Sequence, residues 1–380
     1  MIRSKKSLRS AAALAGVAAL SLTAACGSSD SSDTPSAANT TGASTSAFCG
    51  KNLAFLGALT GDAGALGQNM VNGIKLALKE HDAKSPSCKV SLKTFDSQGD
   101  PKNAPALATQ IINDNTIFGL VGPGFSGESL ATGKTFFEAG LPSISPSATN
   151  VTITDQGWST WHRVIGNDDA QGTADAKYLT DNGAAKVYVV DDGQDYSKGL
   201  ANKVKSSLGS AAIESDQISV GQTDMSAVVT KVKASGADAV FYGGYYTEAG
   251  LLAKALRQGG FDGKFMSGDG SEDPNFVTVA GKDAADGAIL SAPAGPAPAG
   301  FTATGLYATQ AYDATNIFLA AVDAGKSTAK DLNDFIGSYS GTGASGPIAF
   351  DAKGDIKESV IYAYFVKDGK LDVDNPTAIK

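Results

Sequence analysis

A chain of 380 residues has room for two or three domains at about 150 residues each. It is 42% hydrophobic and 18% charged, with no long apolar run in its body, the composition of a folded, water-exposed protein rather than a membrane-embedded or disordered one. The formal net charge is −8, and without residues 1–25 the chain carries 27 bases against 39 acids with no basic cluster, which excludes a nucleic-acid partner.

Residues 1–25 read as a signal peptide. "MIRSKKSLRS" is basic, and "AAALAGVAALSLTAA" is an apolar run of small residues, about 15 long where about 20 are needed to span a bilayer. The run ends in Leu22-Thr23-Ala24-Ala25-Cys26-Gly27, which resembles a bacterial lipobox, with Thr23 in place of the usual leucine. Lipidation of Cys26 after cleavage would anchor the chain at the outer face of the cytoplasmic membrane; the alternative is a plain secretory signal with an incidental cysteine. "GSSDSSDTPSAANTTGASTSA" follows, too polar and small to fold, so residues 26–48 are expected to be a flexible tether. Cys49 and Cys88 are an even pair in an exported chain, hence an expected disulfide. With only His81 and His162 besides, neither a metal site nor a cofactor is expected.

From Asn52 strand-like and helix-like runs alternate. "NLAFLGAL" is a buried strand; the next run places Met70, Ile74, Ala77 and Leu78 on one helix face. "CKVSLKTFD" is a strand, and the helix after it should open with Asp100 as N-cap and Pro101 in first position. "IFGLVG", a helix from Ser126, and "LPSISPS" complete a first series. A second series runs through "AKVYVVDD", "ADAVFYGGY" and "KFMSGDG", each followed by a helix. Repeated strand–helix units imply parallel sheets, and two series imply two α/β lobes. "APAGPAPAG" (292–300) is irregular and reads as a crossing. The final helix and two strands cannot be assigned to a lobe by periodicity.

The loop "GPGFSGES" spells G-x-G-x-x-G between a strand and a helix. A dinucleotide would also need an acid after the next strand, and "LPSISPSAT" has none. A hydrolase elbow would need a glycine where Glu128 stands, and a base; His81 is expected at an exposed helix end. What remains is Ser126 at a helix N-terminus, where free amides favour an anion, with Ser147 and Thr149 in the neighbouring loop at the same sheet edge. Simple helix capping is the competing reading for any one of them. At the corresponding edge of the second series stand Tyr196, Tyr245 and Asp269, an acid with aromatic neighbours suited to an ammonium. An anion cradle opposite a cation partner describes a zwitterion.

Taken together, "FLGALTGDAGALGQNMVNGIKLAL", "FDSQGDPKNA", "LVGPGFSGES", "GLPSISPSAT", "DYSKGLA", "FYGGYYTEAG" and "GPIAFDAKGD" resemble the periplasmic leucine/isoleucine/valine-binding protein family over about residues 51–366. The resemblance implies a type I periplasmic binding protein: two doubly wound parallel-sheet lobes joined by three crossings, near Gly166, Ala292 and Gly346. The lobes would be 49–165 plus 293–345 and 166–292 plus 346–380. It also implies carboxylate contacts at Ser126, Ser147 and Thr149 and ammonium contacts at Tyr196, Tyr245 and Asp269, with Leu66 and Phe125 as pocket walls. Asp269 is shorter than the glutamate often found in the family, Leu66 replaces an aromatic, and Phe125 replaces a cysteine. The implied role is a monomeric, non-enzymatic receptor that closes on a neutral amino acid, branched-chain or otherwise aliphatic, and delivers it to an ABC permease. A ligand-sensing lipoprotein, or a receptor for an amide, urea or aromatic acid, are the alternatives.

Overall fold

The computed structural model describes residues 46–379; the signal peptide, Cys26 and the tether as far as residue 45 lie outside the described residues. The tether was expected to run to residue 48, but Ser46 and Phe48 belong to the fold. Ser46 Oγ donates to the Lys326 carbonyl, and Phe48 is buried and stacked on Phe118 with ring centroids 4.7 Å apart. Cys49 and Cys88 are joined in a disulfide.

The first lobe is built on β1 (Asn52–Gly57), α1 (Gly64–Lys84), β2 (Ser91–Asp96), α2 (Ala104–Asn113), β3 (Ile117–Val121), α3 (Ser126–Glu138), β4 (Ser143–Ser145) and β5 (Trp161–Arg163). Its sheet is parallel throughout, in the order β2-β1-β3-β4-β5. β1 and β3 are apolar on both faces because helices cover both sides. The start of α2 differs from expectation: Asp100 instead accepts from the Lys102 amide in a turn, and the helix begins at Ala104 with Pro105 in its first turn.

The second lobe repeats the plan with α4 (Asp168–Asp181), β6 (Val187–Asp191), α5 (Asp195–Leu208), β7 (Ala212–Gln217), α6 (Ser226–Ser235), β8 (Ala239–Gly243), α7 (Tyr246–Gln258), β9 (Lys264–Ser267), α8 (Pro274–Ala280), α9 (Lys282–Ala285) and β10 (Ile289–Ala292). The parallel strands run β7-β6-β8-β9-β10, the same order as in the first lobe. β13 (Tyr362–Lys367) pairs antiparallel with β10, and β14 (Lys370–Ala378) extends that edge. Between β10 and β13 the chain returns to the first lobe: α10 (Ala308–Asp323) packs on α1, α11 (Ala329–Gly337) follows, and β11 (Ser340–Gly343) forms a hairpin with β12 (Gly346–Ala349).

The chain therefore passes between lobes three times. The first passage follows β5, the second is the irregular segment from Pro293 to Tyr307, and the third precedes β13. The third lies later than the expected Gly346. β12 is held by β11, Phe350 bridges to Ile356, and Asp355 is paired with Arg163 of β5, so residues 346–357 stay with the first lobe and the chain crosses near Ser359. The passages touch at Gly166, where an added Cβ would lie 2.8 Å from Ser359 Cβ and 3.0 Å from Pro293 Cβ. Gly166→Ala should therefore lower stability by about 1–3 kcal/mol through overpacking. Ser359→Gly should recover part of the loss in denaturant titrations. An unchanged midpoint for Gly166→Ala would contradict this packing.

Candidate functional site

In each lobe the strand order reverses beside the first strand of the series, and the loops at the carboxyl ends of the strands on either side of that point converge, the place where open α/β sheets hold ligands. In the first lobe the chain leaves β3 through Gly122 (φ +131°), and the Gly124 amide donates to the Leu56 carbonyl at 2.8 Å, which seats Phe125 as the N-cap of α3. Glu128 reaches back to accept from the Phe125 amide at 3.2 Å and from Ser97 Oγ. It is fully buried, and that desolvation pushes its carboxyl up to about 8 despite these donors. Ser126 accepts from the Asn150 amide at 3.2 Å, which leaves its own hydroxyl proton uncommitted. Ser147 Oγ donates to the Gly124 carbonyl at 2.5 Å, tying the two loops together. The Thr149 hydroxyl is buried and has no hydrogen-bond partner among the described residues.

The loop carrying Ser147 and Thr149 is held from beneath by Arg163. Its guanidinium is fully buried, donates to the carbonyls of Ala148 (2.8 Å) and Asn150 (3.0 Å) and is ion-paired with Asp355. A charge engaged in this way fixes backbone geometry and is not available to a ligand.

In the second lobe Tyr196 lies in the first turn of α5, Tyr245 is the N-cap of α7, and Asp269 opens a short 3-10 turn after β9. The Tyr196 hydroxyl donates to Asp269 Oδ1 at 2.7 Å and accepts from the Gly270 amide at 2.9 Å. Tyr307, at the end of the second passage, donates to Asp269 Oδ2 at 2.5 Å. Burial raises the Asp269 carboxyl above its ordinary value, against the pull of the two phenols. The lobes meet here: Phe125 packs on Tyr245 (5.5 Å between centroids), and Asn150 Nδ2 donates to the Asp195 carbonyl at 2.6 Å.

Gly124, Phe125, Ser126, Ser147, Tyr196, Tyr245, Asp269 and Tyr307 line one cavity of about 10 Å3, roughly the room of a single water. Of the expected residues, Leu66 is elsewhere. It is fully buried in the core from α1, and Tyr307 supplies wall in its place. Thr149 does not line the cavity. Two residues were missed. Tyr307 follows no strand, so the strand-end rule cannot find it; its φ of +67°, rare for a non-glycine residue, is invisible in sequence. Asp168 looks like an ordinary first-turn acid beside Asp169. Yet Asp169 is paired outward with Lys203, whereas Asp168 is 1% exposed and neither carboxyl oxygen has a partner among the described residues. Burial pushes it up to about 8, and the charge of Asp269 acts in the same direction.

Neither histidine lines the cavity. His81, expected at an exposed helix end, is buried at the end of α1 with Nε2 3.2 Å from Asp323. His162 is buried on β5, which depresses it to about 4. The cavity thus offers hydroxyls and a helix N-terminus on one side and a carboxyl with aromatic faces on the other.

These acids make a testable demand on stability. The folded protein keeps protons on Glu128 and Asp168 up to about pH 8, whereas an unfolded chain releases them near about 4. Between those limits these two groups bind more protons in the native state, so their contribution to the stability of the ligand-free protein falls as pH rises toward about 8, opposed below about 6.5 by the depressed His162. Each group contributes a slope of up to about 1.4 kcal/mol per pH unit. Denaturant titrations across the window should show the fall, flattened in Asp168→Asn; a flat wild-type profile would contradict these environments.

Comparison with known proteins agrees with this fold. A family model described as periplasmic binding protein matches residues 52–370. A Leu/Ile/Val-binding protein of Rhizobium johnstonii is 34% identical over 245 residues, 63% of this chain and 66% of that protein, so the match spans just under two thirds of the relative's length. A leucine-binding protein of Thermotoga maritima has a similar structure, with a TM-score of 0.77 at 27% identity over 86% of this chain and 98% of that one. A solute-binding protein of an ABC transporter from R. palustris, in complex with 4-hydroxybenzoate, shares the fold with a TM-score of 0.75 at 20% identity, over 86% and 96% of the two chains. With two lobes of like topology and a family match over most of its length, the chain belongs to the periplasmic binding protein family.

Proposed function

We propose that the chain is the extracytoplasmic substrate-binding component of an ABC importer and captures a neutral aliphatic L-amino acid between its lobes. The observation that carries this reading is Asp269, a buried carboxyl gripped by the hydroxyls of Tyr196 and Tyr307, in one cavity with Ser126 and the amino end of α3. An α-ammonium at Asp269 would supply the missing cation, and the α-carboxylate would meet the Ser126 hydroxyl and the amides of α3, with Thr149 behind. Phe125, Tyr245 and Tyr307 offer an apolar enclosure for a side chain. A cavity of about 10 Å3 is too small for an amino acid, so entry requires the lobes to part and the ligand to be enclosed as they close again. In this reading Cys26 carries a lipid anchor, the protein acts as a monomer, and the membrane permease recognises the closed form.

An aromatic acid, the ligand of the R. palustris protein, fits less well. A carboxylate without an ammonium would add negative charge near Asp269 and offset none. A sensing lipoprotein would use the same site; neighbouring genes for a permease and an ATPase separate the two roles.

Protein freed of co-purified ligand by unfolding and refolding, titrated calorimetrically with L-amino acids, their amides and their decarboxylated amines, tests the proposal. Binding of one or more neutral amino acids on the order of micromolar or tighter, lost with the amine lacking the carboxylate, is the expected result. Binding of benzoates but of no amino acid would contradict it.

A further inference from the structure

Tyr307 also lines a second cavity, of about 630 Å3, whose occupant nothing so far accounts for. Its walls come from both lobes and from the passage between them: Asn69 of α1 and Gln310 of α10 on one side, Phe301 and Leu306 of the passage, Glu272 and Tyr364 on the other. Three acids line it, Glu272, Asp273 and Asp374, and no lysine, arginine or histidine does.

The acids differ in how they are satisfied. Asp273 is the N-cap of α8, accepting from the Asn275 amide at 2.8 Å. Asp374 lies at the rim on β14, a strand largely exposed along its length. Glu272 has neither excuse. It is 5% exposed, and its carboxyl accepts no hydrogen bond from any described residue. The nearest charges, Asp273 and Asp269, are of the same sign. The carboxyl lines the cavity, where a cation could pair with it. No group of three acids, histidines or cysteines among the described residues converges closely enough to hold a metal ion. Ala65, Pro296, Pro298, Phe301 and Leu306 give an apolar stretch of wall beside the amides of Asn69 and Gln310, and the volume is that of a site for an organic molecule.

We propose that this cavity is a second binding site, separate from the amino-acid site, for an organic cation: an alkylammonium whose charge pairs with Glu272 and whose apolar body lies against the passage between the lobes. The proposal does not depend on which ligand the first cavity takes.

Pentylamine is the probe, titrated calorimetrically into the refolded, ligand-free protein, with 1-pentanol and pentanoate as neutral and anionic controls. Pentylamine is expected to bind, pentanol at least about tenfold more weakly, and pentanoate not at all. Glu272→Gln, nearly isosteric, should weaken pentylamine at least about tenfold and leave amino-acid titrations of the first cavity unchanged. Ala297→Trp, at the exposed rim, should obstruct the probe without removing any charge. Pentylamine binding that survives both variants but disappears in Asp269→Asn would put the amine in the first cavity and overturn the proposal. Equal binding of pentylamine and pentanol, or no heat from either, would overturn it as well.

Discussion

A carboxyl group leaves water only if it is protonated, hydrogen-bonded or matched by a cation. The second lobe buries Asp168, Asp175 and Asp269. The buried guanidinium nearby, Arg163, is already committed to Asp355 and to two loop carbonyls. Asp269 has two phenols, Asp175 has the Ser291 hydroxyl at 2.9 Å, and Asp168 has only the Thr149 hydroxyl nearby and the more distant charge of Arg163. The charge of Asp269 raises both Asp168 and Asp175. Such a site becomes less costly when something positive arrives, and among the described residues no lysine, arginine or histidine lines the cavity beside Asp269. Protons and hydroxyl donors hold these carboxyls in the ligand-free protein, and a cation at Asp269 would relieve the burial further.

The scaffold puts this demand opposite an anion cradle by repeating one topology. Both sheets follow the same strand order, so in each lobe the loops that precede the second-lobe helices α5 and α7, and the first-lobe helix α3, open at the carboxyl edge. Facing the two edges toward one another brings a helix N-terminus and hydroxyls against an acid and aromatics. The joint between them is narrow: three passages in contact at Gly166, where even a methyl group has no room. A joint of that kind favours rotation of whole lobes over local deformation.

Much of this was legible in the sequence because it rests on local rules. Buried parallel strands are apolar on both faces, so β1, β3, β6 and β8 announce themselves, and residues just past their ends can be marked as site candidates. Ser126, Ser147, Tyr196, Tyr245 and Asp269 were found that way, and they do line one cavity. Tyr307 was not, because it sits at the end of an irregular passage and is brought to Asp269 only by tertiary structure. Asp168 was hidden by its resemblance to a helix-start acid, and only burial distinguishes it from Asp169. Leu66 was assigned to the pocket by its place in a motif, whereas the roll of α1 turns it into the core. The third passage was misplaced for a similar reason: the Arg163–Asp355 pair joins segments 192 residues apart, and no local pattern reveals it.

The central claim is that Asp269 supplies the charge that meets a ligand ammonium. It is tested most directly by a double cycle in which Asp269→Asn is combined with removal of the ammonium from the ligand. Wild-type and variant protein would each be titrated with the tightest-binding amino acid and with its deaminated carboxylate. A coupling of about 1.5–5 kcal/mol between the two changes is the result expected for a close, desolvated charge pair. If the two losses simply add, Asp269 does not hold the ammonium, and the zwitterion account of the cavity is wrong.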